Sequence, residues 1–304
     1  MKRVIITGGT GMIGQPLAKQ LAKAGYEVIV LSRNPANAGA LAGISGIKIV
    51  AWDAKTAQGW GSLADGAFAI VNLAGENLAE GRWTDERKRT IVDSRVDAAK
   101  AVVAAIEQAQ VKPEVVVQAS AVGYYGPRGN EPVTEEGKPG SSFDAKVCVT
   151  WEQASDPVAA MGVRRVIIRT GIVLDKNAGA LPRMAMPFKL FAGGPIASGK
   201  QVMPWIHLAD EVNAIQWLME NPAAQGVFNL SAPNPVTNKE LAQALGKALG
   251  RPSLVPVPAF ALKTMFGEMA EILLTGQRAV PARLQQLGYP FRFSTIQAAL
   301  EDIY

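Results

Sequence analysis

The chain has one cysteine, Cys148, and one histidine, His207, in 304 residues. A lone cysteine excludes an intramolecular disulfide framework and suits a reducing compartment. With one thiol and one imidazole, a metal centre built on such ligands is not expected. No apolar run reaches the roughly 20 residues needed to cross a bilayer. The opening Met1-Lys2-Arg3 leads straight into a strand, without the apolar stretch and cleavage site of a secretory signal. The expectation is a soluble, cytoplasmic protein with no membrane partner. A dense basic stripe is also missing. The 31 basic and 26 acidic residues give a net charge of +5 but are scattered. Nucleic acid is therefore not expected as a partner, and an anionic small ligand accounts for the excess equally well.

What the chain does have is a globular composition, 48% hydrophobic and 19% charged, which excludes a disordered or fibrous protein. Apolar, β-branched runs at 4–7, 28–31, 47–51, 69–73, 115–119 and 165–169 read as strands covered on both faces. Helical patterns at 12–24, 85–108 and 146–161 alternate with them, so a parallel, doubly wound α/β sheet with right-handed crossovers is predicted. After Thr170 the pattern changes. Prolines and glycines at 181–204 predict a long loop, and a helix begins near Ala209. A strand is predicted at 227–230, and a helix at 237–249 with Thr237 and Glu240 as a capping box. The three prolines at 251–260 predict an extended segment. The division expected is a nucleotide-binding domain at 1–170 and a C-terminal substrate region at 171–304, whose tail begins near 251 and packs on, or interleaves with, the first domain.

The strongest chemical signal is Thr7-Gly8-Gly9-Thr10-Gly11-Met12-Ile13-Gly14, which follows the first strand and opens the first helix. Gly8 permits the tight turn, Gly11 lets a pyrophosphate approach the backbone, and Gly14 permits close helix–strand packing. Free amides and the positive end of the helix dipole then hold phosphate. An NAD site places a carboxylate near the end of the second strand to bind the ribose 2′-hydroxyl. Here that end reads Ser32-Arg33-Asn34. Arg33 suits a 2′-phosphate, with Ser32 and Asn34 as further donors, so NADP(H) is the expected cofactor.

With these residues in view, the chain resembles the extended, epimerase-like branch of the short-chain dehydrogenase/reductase superfamily. The resemblance rests on Thr7 to Gly14, Asp53, Asn72-Leu73-Ala74-Gly75, Arg169-Thr170-Gly171, Pro204 to Asp210 and Gly226 to Leu230. Within that branch, Glu76, Arg82-Trp83, Ser120 to Gly126 and Gly276-Gln277-Arg278-Ala279 are similar to a subfamily often named sugar-nucleotide epimerase by similarity. The resemblance implies that Asp53 lies beside adenine and that Leu73, Ala74, Gly75 and Glu76 line the cofactor. It also implies a Ser, Tyr and Lys for hydride chemistry, the phenol's pKa being lowered by nearby positive charge.

The sequence departs from that pattern at the helix expected to carry Tyr-x-x-x-Lys, which reads Phe143-Asp144-Ala145-Lys146-Val147-Cys148. Phe143 cannot transfer a proton. Lys146, three residues on, shares a helical face and can reach the ribose. Ser120 is the candidate orienting hydroxyl, and Tyr124 or Tyr125 the replacement phenol; the alternative is that one tyrosine packs in the core and the other bonds backbone. Cys148 reads as a buried small hydrophobe, His207 as a structural histidine and Arg95 as part of a salt-bridged helix face. The segment 181–203, with Arg183, Lys189 and Lys200, is either a substrate lid suited to an anion or a structural excursion.

Two functions are consistent with these residues. One is an NADP(H)-dependent oxidoreductase or epimerase acting on a nucleotide-sugar-like or other carbonyl or carbinol substrate, a homodimer being compatible with it. The other is a non-catalytic NADP(H)-binding sensor, which the missing Tyr-x-x-x-Lys motivates.

Overall fold

The β-branched runs form the centre of the molecule. A computed structural model describes residues 1–304, apart from the Asn37 side chain. In chain order the strands are β1 (Arg3–Thr7), β2 (Glu27–Ser32), β3 (Ile47–Ala51), β4 (Ala69–Asn72), β5 (Val115–Ala121), β6 (Pro132–Val133) and β7 (Arg164–Thr170). They continue as β8 (Ile172–Leu174), β9 (Val202–Met203), β10 (Trp205–His207), β11 (Gly226–Leu230), β12 (Val236–Thr237) and β13 (Arg278–Ala279). Seven of them form one parallel sheet in the order β11-β7-β5-β4-β1-β2-β3, a Rossmann-like, doubly wound arrangement. The last of these, β11, comes from beyond residue 170 and pairs with β7 from Gly226↔Val166 to Leu230↔Thr170.

The helices are α1 (Gly14–Lys23), α2 (Asp85–Gln108), α3 (Phe143–Gln153), α4 (Pro157–Ala160), α5 (Leu181–Lys189) and α6 (Leu208–Glu220). After them come α7 (Asn238–Leu249), α8 (Ala259–Phe266), α9 (Ala270–Leu274), α10 (Ala282–Gln286) and α11 (Ile296–Ile303). One face of the sheet presents Val4, Ile6, Val117 and Ile168 to α1 and α6. The other presents Ile5, Ile70 and Val116 to α2. Both faces are covered over the inner strands, which is why their centres are apolar instead of alternating; the edge strand β3, with Lys48 and Ala51 exposed, departs from the expected burial on both faces. A third apolar cluster joins α5, α7 and α11 through Leu181, Phe188, Leu245 and Leu300. None of the described helices is long and apolar enough to cross a membrane.

Two expectations change. The predicted long loop begins as helix α5, with Pro182 in its first turn and Leu181, Ala185 and Phe188 buried. A proline in the first turn removes an amide that lacks a helical partner anyway, so it starts this helix instead of breaking it. The single helix predicted at 146–161 starts earlier, at Phe143, and is cut into α3 and the one-turn α4 ahead of Pro157. Thr237 and Glu240 form the expected capping box at α7.

Candidate functional site

The carboxyl ends of the strands carry two adjoining sites. At the β1 end, Gly8 adopts φ 65°, and a Cβ there would lie 2.8 Å from the Leu73 carbonyl. A Cβ on Gly14 would overlap the Gly8 carbonyl and come within 2.5 Å of Gly9 Cα. The turn is thus held against both the next strand end and the opening of α1. That helix has no side-chain cap and no acid in its first turn. Its leading amides are therefore a ready anion site, and the residues present fit a dinucleotide phosphate.

The other residues of this end are partly committed to one another. Thr7 Oγ1 donates to Asn72 Oδ1 at 2.5 Å and accepts from the Leu73 and Ala74 amides, fastening β1 to the start of the next loop. Thr10 O accepts from Gln15 Nε2. Gly9 and Ile13 lie in the turn, and Met12 contacts the loop at Gly179. Arg33 is exposed, and its Nη1 lies 3.2 Å from Glu76 Oε1, while Arg87 approaches the other Glu76 oxygen at 3.5 Å. Ser32 Oγ accepts from the Asn34 amide. The Asp53 carboxylate accepts from the Lys55 and Thr56 amides and from Thr56 Oγ1, closing its own turn.

Beyond β5 and β7 lies a cavity of about 340 Å³. Its walls come from residues 77–83, the β5 end (Ala121, Val122, Gly123), α3, Thr170-Gly171-Ile172 after β7, and residues 268–277 of the tail. The lining is largely apolar, with Trp83 set edge-on against Phe143 at 4.8 Å between ring centres. Helix α3 turns Phe143, Asp144, Val147, Cys148 and Trp151 to this cavity. Lys146 lies on another face of the same helix and is exposed.

Ser120, Tyr124, Tyr125 and Lys146 are absent from the cavity lining. Ser120 Oγ donates to Glu152 Oε1 at 2.6 Å. Glu152 also takes two bonds from Arg169, Nε and Nη2 each at 2.8 Å. Arg169 Nη1 donates to Tyr125 OH at 3.1 Å, and Tyr125 OH donates to Asn229 Oδ1 at 2.7 Å. The guanidinium also lies 3.3 Å from the centre of the Tyr124 ring. Ser120 and Tyr125 thus belong to one buried network that ties α3, β5, β7 and β11 together. Burial pushes the Tyr125 phenol up, and the nearby Arg169 charge and its hydrogen bond do not fully offset this. Burial opposes the charge on Arg169, yet Glu152 and Tyr125 raise its pKa above the ordinary arginine value.

Three residues at the cavity were not read as functional from sequence. Asp144 and Cys148 stand four apart on the cavity face of α3. The usable signal is the i,i+4 spacing of Asp144, Cys148 and Glu152 along one helix face. The Cys148 thiol is pushed up to about 12 by burial and by the nearby Glu152 and Asp144 carboxylates, so it is inert as a nucleophile near neutrality. Arg95 corrects an expectation. It is not part of a salt-bridged surface but is buried, lines the cavity and packs over the Trp151 ring at 4.9 Å. His207 caps α6 by accepting from the Ala209 amide and packs on Phe293, in keeping with a structural role. Arg183, Lys189 and Lys200 are absent from the cavity wall, and Arg183 bonds the Ala79 carbonyl.

Glycine turn, parallel sheet and edge cavity define a Rossmann-type nucleotide-binding protein. A family profile described as the NAD dependent epimerase/dehydratase family matches residues 4–231, and a domain of unknown function (DUF1731) matches 257–303. The chain belongs to the NAD dependent epimerase/dehydratase family. It is similar to the chloroplastic SDR39U1 homolog of Arabidopsis thaliana, an epimerase family protein, at 39% identity over 99% of this chain and 86% of that one. It is 35% identical to epimerase family protein YfhF of Bacillus subtilis, over 99% of this chain and 97% of that one. Among solved structures, human SDR39U1 (isoform 2), crystallised with NADPH, superposes with a TM-score of 0.87 at 33% identity, over 99% and 98% of the two chains.

Proposed function

We propose that the chain binds NADP(H) and exchanges a hydride with a small carbonyl or carbinol compound seated in the cavity. The observation that carries this reading is the pairing, on one sheet edge, of an uncapped helix N-terminus behind a glycine turn with a largely apolar cavity beyond β5 and β7. In the proposed arrangement, Gly8, Gly11 and the amides leading into α1 hold the pyrophosphate. Arg33, aided by Ser32 and Asn34, exchanges its exposed contact with Glu76 for a 2′-phosphate. Such an exposed pair is worth no more than about 1 kcal/mol, so a charge-assisted bond to phosphate displaces it readily. Leu73, Ala74 and Gly75 line the ribose side, and Asp53 stands near adenine. The NADPH-bound crystal of human SDR39U1, a relative of similar length, supports the choice of cofactor.

When bound, the cofactor supplies the hydride. The chain's part is to hold the reacting carbon in an apolar, water-poor cavity and to manage the proton. Asp144, on the cavity face of α3, is the group proposed to pass that proton. Ser120, Tyr125 and Glu152 then act indirectly, fixing α3 against the sheet.

The test is titration with NADPH and NADH, followed by a panel of carbonyl compounds read by loss of NADPH absorbance. Expected are tighter binding of NADPH, by about tenfold or more, and turnover that Asp144→Asn abolishes. Equal affinity for the two coenzymes overturns the cofactor assignment. One observation favours a second reading, the non-catalytic sensor: Ser120, Tyr124, Tyr125 and Lys146 all lie outside the cavity wall. Binding that discriminates NADP+ from NADPH, with no turnover on any substrate, selects that reading.

A further inference from the structure

Bare apolar surface is concentrated in the C-terminal region. Its large exposed side chains include Leu190 (71% exposed), Phe191 (62%), Leu254 (80%) and Phe260 (73%). They come from two stretches that are fastened together. The Leu254 and Val255 amides both donate to the Gly193 carbonyl, at 2.9 and 3.0 Å, and the Val257 amide donates to Pro195 O at 2.9 Å. Phe260 follows three residues later in the first turn of α8, a helix on which Lys263 and Met265 are exposed too. Phe191 is held at φ 59°, a left-handed turn that residues other than glycine rarely adopt. Its amide donates to the carbonyl of the buried Phe188, which shares an apolar cluster with Leu245. The Phe191 ring thus stands out from a fixed base. None of Leu190, Phe191, Leu254 and Phe260 lines the cavity. A soluble monomer rarely leaves such a face uncovered.

The charge around this face selects its partner. The sequence has no Asp or Glu from Lys176 to Ala209, and none from Leu241 to Gly267. Beside the apolar residues stand three exposed cations, Lys189, Arg251 and Lys263, and the Arg251 guanidinium lies 4.5 Å from the centre of the Phe191 ring. Two copies meeting through this face would set like charges against each other, which disfavours self-association. A partner helix needs a groove, whereas these side chains protrude. Protruding apolar tips flanked by cations suit a bilayer: the tips enter the headgroup boundary while Lys and Arg meet anionic phosphate. We propose that this face docks on the surface of an anionic phospholipid bilayer. The expectation of no membrane partner rests on the lack of a spanning run, and a chain that lies against a bilayer needs none.

The experiment mixes the whole chain with vesicles of phosphatidylcholine, or of phosphatidylcholine and phosphatidylglycerol in equal parts, and reads binding by co-sedimentation. The mixed vesicles are expected to bind at least about tenfold more tightly than phosphatidylcholine alone. Phe191→Ser combined with Leu254→Ser should weaken that binding about tenfold or more, and Arg251→Glu should do so by about tenfold, all with unchanged melting. Lys48→Glu, on β3 at the opposite edge of the sheet, makes the same change in net charge and should leave binding within about twofold. Equal binding to the two kinds of vesicle, or binding to neither, overturns the inference without any variant. Binding that survives the paired serine substitutions overturns it as well, since no apolar tip then enters the bilayer. So does a loss with Lys48→Glu equal to that with Arg251→Glu, because net charge alone then accounts for it. A dimer in lipid-free solution that the paired serines separate assigns the face to a second copy and overturns the bilayer reading.

Discussion

The two ends of the sheet edge are made of different materials. Around β1 the groups of the candidate site are backbone: a glycine at φ 65°, a Gly14 packed on Gly9, and the uncapped amides of α1. Around β5 and β7 they are side chains drawn from seven separate stretches, with a buried ion pair beneath and the buried Arg95 on one wall. A backbone site needs only small residues in a fixed turn and takes the same phosphate in any protein that keeps them. A side-chain site can be rebuilt residue by residue, so chemistry can change at one end while the other stays as it was.

That contrast is open to attack at several points. The largest effect is expected at Glu152. Glu152→Ala leaves Arg169 buried and uncompensated, and unfolding by denaturant should show a loss of about 3–5 kcal/mol. Next comes Glu211, fully buried below Thr170, whose Oγ1 donates to it at 2.8 Å. Burial raises its pKa from 4.5 to about 8. Between these values the folded chain keeps a proton that the unfolded chain releases. Its contribution to stability is complete below pH 4.5 and fades as pH rises through about 8. Thermal melts across that window should show a fall on the order of a few kcal/mol, and Glu211→Gln should flatten it. A profile unchanged by the substitution removes this carboxyl as its cause.

At the backbone end, Gly14→Ala forces the turn open and should cost about 1–3 kcal/mol by denaturant melt. Calorimetry should show NADPH affinity falling with it. The smallest effect is expected at Arg33. Arg33→Asp should leave stability within about 0.5 kcal/mol and shift coenzyme preference from NADPH toward NADH.

How much of this was legible beforehand follows from the same division. Strands β1 to β5, β7 and β11 are legible because each has a β-branched, largely apolar centre, and the glycine turn because all its parts lie within eight residues. Arg95 did not. Charged residues inside a long helix usually face water, and nothing near it in sequence reveals the space beside Gly75 or the Trp151 ring. Tyr125 was left undecided because its partners, Arg169 and Asn229, are 44 and 104 residues away. Helix α5 reads as loop in the sequence because prolines usually break helices; Pro182 falls in the first turn, where it does not, and α5 also carries Pro187 inside it.

One wall of the cavity is lent by residues 268–277, held down where the Arg128 amide meets the Gly276 carbonyl and where Gln277 Nε2 meets Val122 O. A ribosome releases these residues only after every strand of the large sheet has emerged. A growing polypeptide therefore has all the strands of its large sheet in hand before this wall of the cavity exists.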